Sequence, residues 1–292
     1  MAMSWRYKIP MLVLLTVVLI APVSYVQSQT EPTPIVSRVY WVTLHSRSLE
    51  AFDSLFTLLS RDLQLPVFFQ PETHGARRYA AVLAGNVILE PCGPFADSPY
   101  RSASVLARWN TLIFRTHGST ADCLTRLEQR GIEHGSPQTE MWDGKQVNVN
   151  VTGLSNRGMP VMLSECIEGE EELNAKLGSL RDALKAGEGG SLGIRYVDEI
   201  HIGYSNDEYL SRWRALLSPI QPTDGVWHLS AGPRLRLVHA DRDELVALVL
   251  KVESLARAVS QLTAMNMLGE RQENMVAIGE AGACGLKIYL RE

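Results

Sequence analysis

The sequence lacks several marks that assign large protein classes. Its four cysteines, Cys92, Cys123, Cys166 and Cys284, include no CxxC pair, which leaves a zinc ribbon without support. There is no Gly-x-Ser-x-Gly elbow and no recognisable nucleophilic Cys–His pair. No Lys/Arg cluster accompanies an aromatic platform, and the formal charge is only -4, so a polybasic nucleic-acid binder is excluded. The stretch GEGGSLG, residues 187–193, lacks the strand-and-helix setting of a phosphate loop and reads as linker. Long apolar runs are missing everywhere except at the start of the chain.

That start is informative. Arg6 and Lys8 precede the apolar run Met11 to Ala21, and Pro22, Ser24 and Gln27 break it. Val26 and Ser28 are small enough for the −3 and −1 positions of a cleavage site before Gln29. The pattern predicts a signal peptide over residues 1–28 and an exported protein, periplasmic or secreted. The run is short for a membrane span of about 20 residues, so contact with a membrane is expected only if this segment stays uncleaved. In an exported chain an even number of cysteines permits disulfides, and buried free thiols are the equal alternative.

The remaining chain repeats itself. A strand leads at once into an amphipathic helix four times. VYWVTLH precedes LEAFDSLFTLLSRDL, and TLIFRT precedes TADCLTRLEQRGI. VDEIHIG precedes EYLSRWRALL, and LVALVLKV precedes LARAVSQLTAM. Polar N-cap candidates open the helices: Ser46 and Ser48, Ser119, Ser205 and Asp207, and Ser254. Two further strands follow each helix, at 79–84 and 87–90, 146–152 and 159–164, 226–230 and 234–238, and 275–279 and 286–290. The unit is therefore βαββ, with room for one more short strand. A charged, helix-prone stretch and the Gly-rich segment, residues 168–193, divide the four units into two pairs, 35–167 and 194–292.

Alternation sorts the strand faces. Val42 and Leu44 alternate with Trp41, Thr43 and His45, and Ile200 and Ile202 alternate with Glu199, His201 and Gly203. The apolar face should receive the unit's own helix, and the mixed face should line a concavity.

Here the chain resembles the vicinal oxygen chelate superfamily, which includes glyoxalase I, bleomycin-resistance proteins and extradiol dioxygenases. The likeness rests on the strand-to-helix entries SRSLEAF, VESLARA and YSNDEYL and the strand ends GNVILEPCGPF, GMPVMLSE and GLKIYLRE, across about residues 36 to 292. It implies an α+β fold of four βαββ(β) units paired into two tandem glyoxalase-like barrels. The metal-using members take a His from first strands and a carboxylate from last strands. The corresponding first-strand positions here are Trp41, Thr111, Glu199 and Ala247, and the last-strand positions fall near Glu90, Glu165, Val238 and Tyr289. The expectation is therefore no cofactor; a divalent metal is not favoured.

For the first barrel, Trp41, Thr43, Glu90, Arg115 and Glu165 are the candidate ligand contacts and His45 the candidate general base. A solvated strand-end role for His45, and structural roles at strand ends for Glu90 and Glu165, are the competing readings. In the second barrel Glu199 and His201 share a face about 7 Å apart, and Arg236, Lys251 and Tyr289 are expected to converge on them. That group reads either as a proton-transfer site or as a structural salt-bridge network. The partner expected is a small organic molecule. Two functions fit: metal-independent lyase or isomerase chemistry, or non-catalytic sequestration of the bleomycin-resistance type.

Overall fold

The computed structural model describes residues 32–96, 105–142, 145–154 and 159–292. The segment read as a signal peptide lies outside them. Among these residues fifteen strands and five α-helices follow one another in a repeating order, and a π-helical turn, Leu58–Asp62, prolongs the first helix. The first half holds β1 (Val36–Ser46), α1 (Leu49–Thr57), β2 (Val67–His74), β3 (Arg77–Leu83), β4 (Ile88–Gly93), β5 (Ala107–Thr116), α2 (Thr120–Gln129), β6 (Gln138–Trp142), β7 (Lys145–Val151) and β8 (Val161–Cys166). A long helix, α3 (Glu170–Ala186), leads into β9 (Ile194–Tyr204), α4 (Asp207–Leu217), β10 (Val226–Trp227), β11 (Arg234–His239), β12 (Glu244–Val252), α5 (Leu255–Ala264), β13 (Leu268–Gln272), β14 (Met275–Ile278) and β15 (Ile288–Arg291).

The strands form two sheets. One runs β2-β3-β4-β1-β5-β8-β7-β6 and the other β10-β11-β9-β12-β15-β14-β13. Each repeat thus contributes a first strand flanked in parallel by its last strand, and two repeats join through antiparallel first strands, β1 with β5 and β9 with β12. The repeat is βαβββ in units one, two and four, and βαββ in unit three. Beyond the two post-helix strands expected for each unit, β2, β6 and β13 are the additional members, and all three lie at sheet edges.

Four helices start at side-chain caps. Ser48, Ser119, Asn206 and Ser254 accept the backbone N–H of Ala51, Asp122, Tyr209 and Arg257. In the third unit the cap is Asn206 and not the Ser205 or Asp207 expected. The apolar faces of these helices and the inner-pointing residues of both sheets make one continuous hydrophobic core. Phe114 of β5 meets Trp213 of α4 across it, with ring centroids 6.4 Å apart. Each fully buried large side chain there contributes on the order of 2 kcal/mol. All four cysteines are free thiols, three of them buried.

The two halves also interlock at turns. Asn86, between β3 and β4, pairs its amide with both backbone groups of Val197 on β9 at 2.9 and 3.0 Å. In the mirror arrangement Ala231, before β11, bridges to Arg38 on β1. Gly232 follows at φ 85°, and any Cβ there would lie 2.6 Å from the Val39 carbonyl, so only glycine fits this approach.

Helix α3, in the segment expected as a helical and Gly-rich linker, packs on the concave side of the first sheet. Its Leu173, Leu177 and Leu180 join Ala81, Leu83, Ile88, Phe68, Phe69 and Trp41 in a second, separate cluster.

Candidate functional site

The concave face of the first sheet is built by β1, β4, β5, β7 and β8. Val42 and Leu44 point into the core, so Trp41, Thr43 and His45 point the other way. A bulge adds Tyr40 to that face: Val39 pairs with Phe114 and Trp41 with Ile113, leaving Tyr40 as the extra residue. Its hydroxyl donates to Ser164 Oγ of β8 at 3.1 Å.

Trp41 Nε1 donates to Glu90 Oε2 at 2.8 Å. The two residues sit on parallel neighbours, with Glu90 opposite Thr43. Burial raises the Glu90 carboxyl to about 7; the Trp41 bond opposes this and the charge of Glu140 adds to it. The Trp41 ring packs edge-on against Phe68 and Tyr40, with centroids 5.6 and 6.0 Å away. Arg115 lies buried over the Tyr40 ring, its Cζ 4.1 Å from the centroid, and donates from Nη1 to Asn148 Oδ1 at 3.2 Å. Asn148 and Asn150 both donate to Glu140. Thr43 Oγ1 accepts from Asn110 and from the Thr111 backbone, both at 3.1 Å.

The structure therefore brings Trp41, Thr43, Glu90 and Arg115 onto one face. His45 lies toward the far end of β1. Its ring stacks on Phe95 with centroids 3.6 Å apart, and burial, followed by the charges of Arg108 and Arg77, lowers its pKa to about 4. It is a neutral imidazole across the physiological range, and a weak base. Glu165 is a correction. Its neighbour Leu163 enters the core, and Glu165 Oε2 accepts the Thr120 N–H at 2.5 Å, capping α2 on the helix side of the sheet.

The second sheet holds a different arrangement. Glu199 and His201 do share a face, with Nε2 to Oε2 at 3.1 Å. Arg236 joins them at 3.0 Å, Arg234 at 3.1 Å and Arg291 at 2.9 Å. A bulge brings Asp198 in as well: Val249 pairs with Glu199 but Leu250 pairs with Val197. Asp198 binds Arg234 at 2.7 Å and also binds Arg291. Lys251, expected in this group, forms no ion pair with the described residues; Arg291 and Arg234 take that place. Tyr289 stands opposite Val249, one strand from Glu199, and burial raises its hydroxyl pKa. Burial resists ionisation of Glu199, yet the hydrogen bonds from His201, Arg236 and Arg291 and the charge of Arg291 outweigh it and hold the carboxyl well below the usual range. Every acid in this cluster is matched by guanidinium, which is the structural-network reading.

No protein-family model matches the chain, and no curated protein matches it. Solved structures do. Homoprotocatechuate 2,3-dioxygenase from Arthrobacter globiformis superposes with a TM-score of 0.54 at 13% identity, over 90% of this chain and 81% of that one. The Brevibacterium fuscum enzyme in complex with 3,4-dihydroxyphenylacetate gives 0.54 at 12%, over 90% and 82%. A hypothetical protein from Staphylococcus aureus gives 0.54 at 8%, over 88% and 99%. The chain has the vicinal oxygen chelate fold, in tandem glyoxalase-like units.

A divalent ion in the manner of that fold does not fit these residues. The first-strand positions carry Trp41, Thr111, Glu199 and Ala247, and the one carboxylate among them is already engaged by three arginines. Guanidinium groups at hydrogen-bond distance repel a cation and occupy the oxygens it would need. Among the described residues no group of three or more His, Cys, Asp or Glu is placed to hold a metal.

Proposed function

We propose that the protein is an exported, metal-independent enzyme of lyase or isomerase type, acting on a small anionic organic molecule held on the concave face of the first sheet. Glu90 carries the reading. It is a carboxyl on the concave face, bonded to Trp41, with its pKa near 7. A group titrating near the working pH is suited to both halves of a proton transfer. Glu90 takes a proton from a carbon next to a carbonyl and returns it to the same molecule at another position or face. Trp41 supplies apolar contact for a planar body, and Arg115, held on the Tyr40 ring, pairs with the anionic end. Export rests on the pattern of residues 6 to 28, and N-terminal sequencing of exported protein should begin near Gln29.

The second reading is sequestration without chemistry. It is favoured by one observation, the packing of α3 against Trp41 and Ile88, which narrows the concavity around an aromatic wall. Proton NMR in heavy water separates the two. Small keto, hydroxy and phenolic acids should exchange a carbon-bound hydrogen with wild-type protein, in the presence of a chelator, and not with Glu90→Gln. Binding of such an acid with no exchange at any pH supports sequestration and rejects the enzyme.

A further inference from the structure

A cavity of about 370 Å³ opens where β1 begins and β5 and β8 end. Its wall carries Arg38 and Arg115, which face one another as register partners on β1 and β5. Neither has an ion-pair partner among the described residues. Arg115 is 7% exposed, and its buried Nε has no hydrogen-bond partner. A buried guanidinium donor without an acceptor carries a desolvation cost that an incoming oxyanion removes. Arg38 is half-buried, and burial followed by the charges of Arg115 and Arg181 pushes its pKa down against the opposing charge of Glu170, so two cations are held close together here. Two acids also line the cavity. Glu165 is engaged in capping α2, and Glu170, exposed at the start of α3, acts on Arg38; neither forms an ion pair with Arg115 among the described residues.

We infer that the Arg38–Arg115 cavity is an oxyanion pocket that seats the carboxylate or phosphate group of an organic ligand. The inference rests on the proposed site and names its substrate class. Tyr40 lies under Arg115 and against Trp41, and Trp41 bonds Glu90, so a chain of packed side chains links Arg115 to Glu90. The substrate is a small organic acid or phosphate ester whose charged group enters between Arg38 and Arg115.

Inorganic phosphate and malonate, titrated separately into the purified protein, test the pocket without calling on Glu90. The readouts are calorimetry and the arginine Nε–H signals in ¹H–¹⁵N spectra, with the Arg115 signal assigned by its loss in Arg115→Lys. At least one anion should bind once per chain and move that signal. Phosphate alone points to an ester, malonate alone to a carboxylic acid. Arg38→Gln should weaken binding roughly tenfold, the loss of one charge-assisted contact, and Glu90→Gln should leave it unchanged. Arg115 packs on Tyr40, so if its variant fails to fold, Arg38→Gln carries the test alone. The pocket is overturned if neither anion moves the Arg115 signal at millimolar concentration, or if Arg38→Gln binds as wild type does. Anion binding without proton exchange by wild-type protein would keep the pocket and remove the enzyme.

Discussion

Trp41 and Glu90, on parallel neighbouring strands, share a hydrogen bond of 2.8 Å from indole N–H to carboxylate. This bond favours the ionised carboxylate against its burial. Trp41→Phe keeps the ring and removes the donor. The Glu90 midpoint should climb above about 7, and any proton-exchange activity should shift its pH profile to higher pH with it. An unmoved profile would show that the indole does not govern Glu90.

Glu90 also sets a pH dependence of stability. Its folded pKa lies above the ordinary 4.5, so the folded state holds a proton that the unfolded state has released. Stability is fully present below pH 4.5 as far as this group is concerned and falls as pH rises through about 7. Burial of the charge should cost at most about 3 kcal/mol above that window. Urea unfolding of Glu90→Gln should lack this decline and give a more stable protein than wild type at alkaline pH.

His45 acts in the opposite direction. Its folded pKa is lowered to about 4 from 6.5, so the unfolded state takes up a proton first as the pH falls. The stabilising contribution present above pH 6.5 is lost down to about pH 4, by about 1–3 kcal/mol. His45→Phe keeps a ring against Phe95 and removes the titration. Its melting temperature should fall less than that of wild type between neutral and acidic pH. Equal acid sensitivity would assign the effect elsewhere.

Glu199→Gln should separate the two sheets in function. It leaves Arg234 and Arg291 with Asp198 and Arg236 without an ion pair among the described residues, and removing one member of such a network costs about 3 kcal/mol. Anion binding at Arg115 should be unaffected in the protein that remains folded. Loss of binding with stability intact would move the site to the second sheet.

Much of this architecture could be read from the chain. The strands β1, β5, β9 and β12 announce themselves by alternation, and their helices by polar caps and a 3.6-residue apolar period. The strands β2, β6 and β13 were not legible because edge strands have few buried positions. β2 carries Pro71, and in β13 Arg271 and Gln272 are exposed. The site was legible only where alternation holds. Trp41, Thr43 and Glu90 follow it. Tyr40 and Asp198 do not, because each is the extra residue of a bulge, which turns a side chain expected on one face onto the other. Arg38 was missed for the same reason, since the Tyr40 bulge shifts the alternation by one and turns Arg38 to the face of Trp41. The role of Glu165 depended on where the N-terminus of α2 comes to rest, which no local pattern encodes.

Glu90 is poised to gain or lose a proton near neutral pH. The most direct test is a ¹³C NMR titration of the glutamate side-chain carboxyl carbons, with Glu90 assigned by the signal missing in Glu90→Gln. The midpoint in wild-type protein should lie near 7. A midpoint at the ordinary carboxylate value near 4.5 would contradict it.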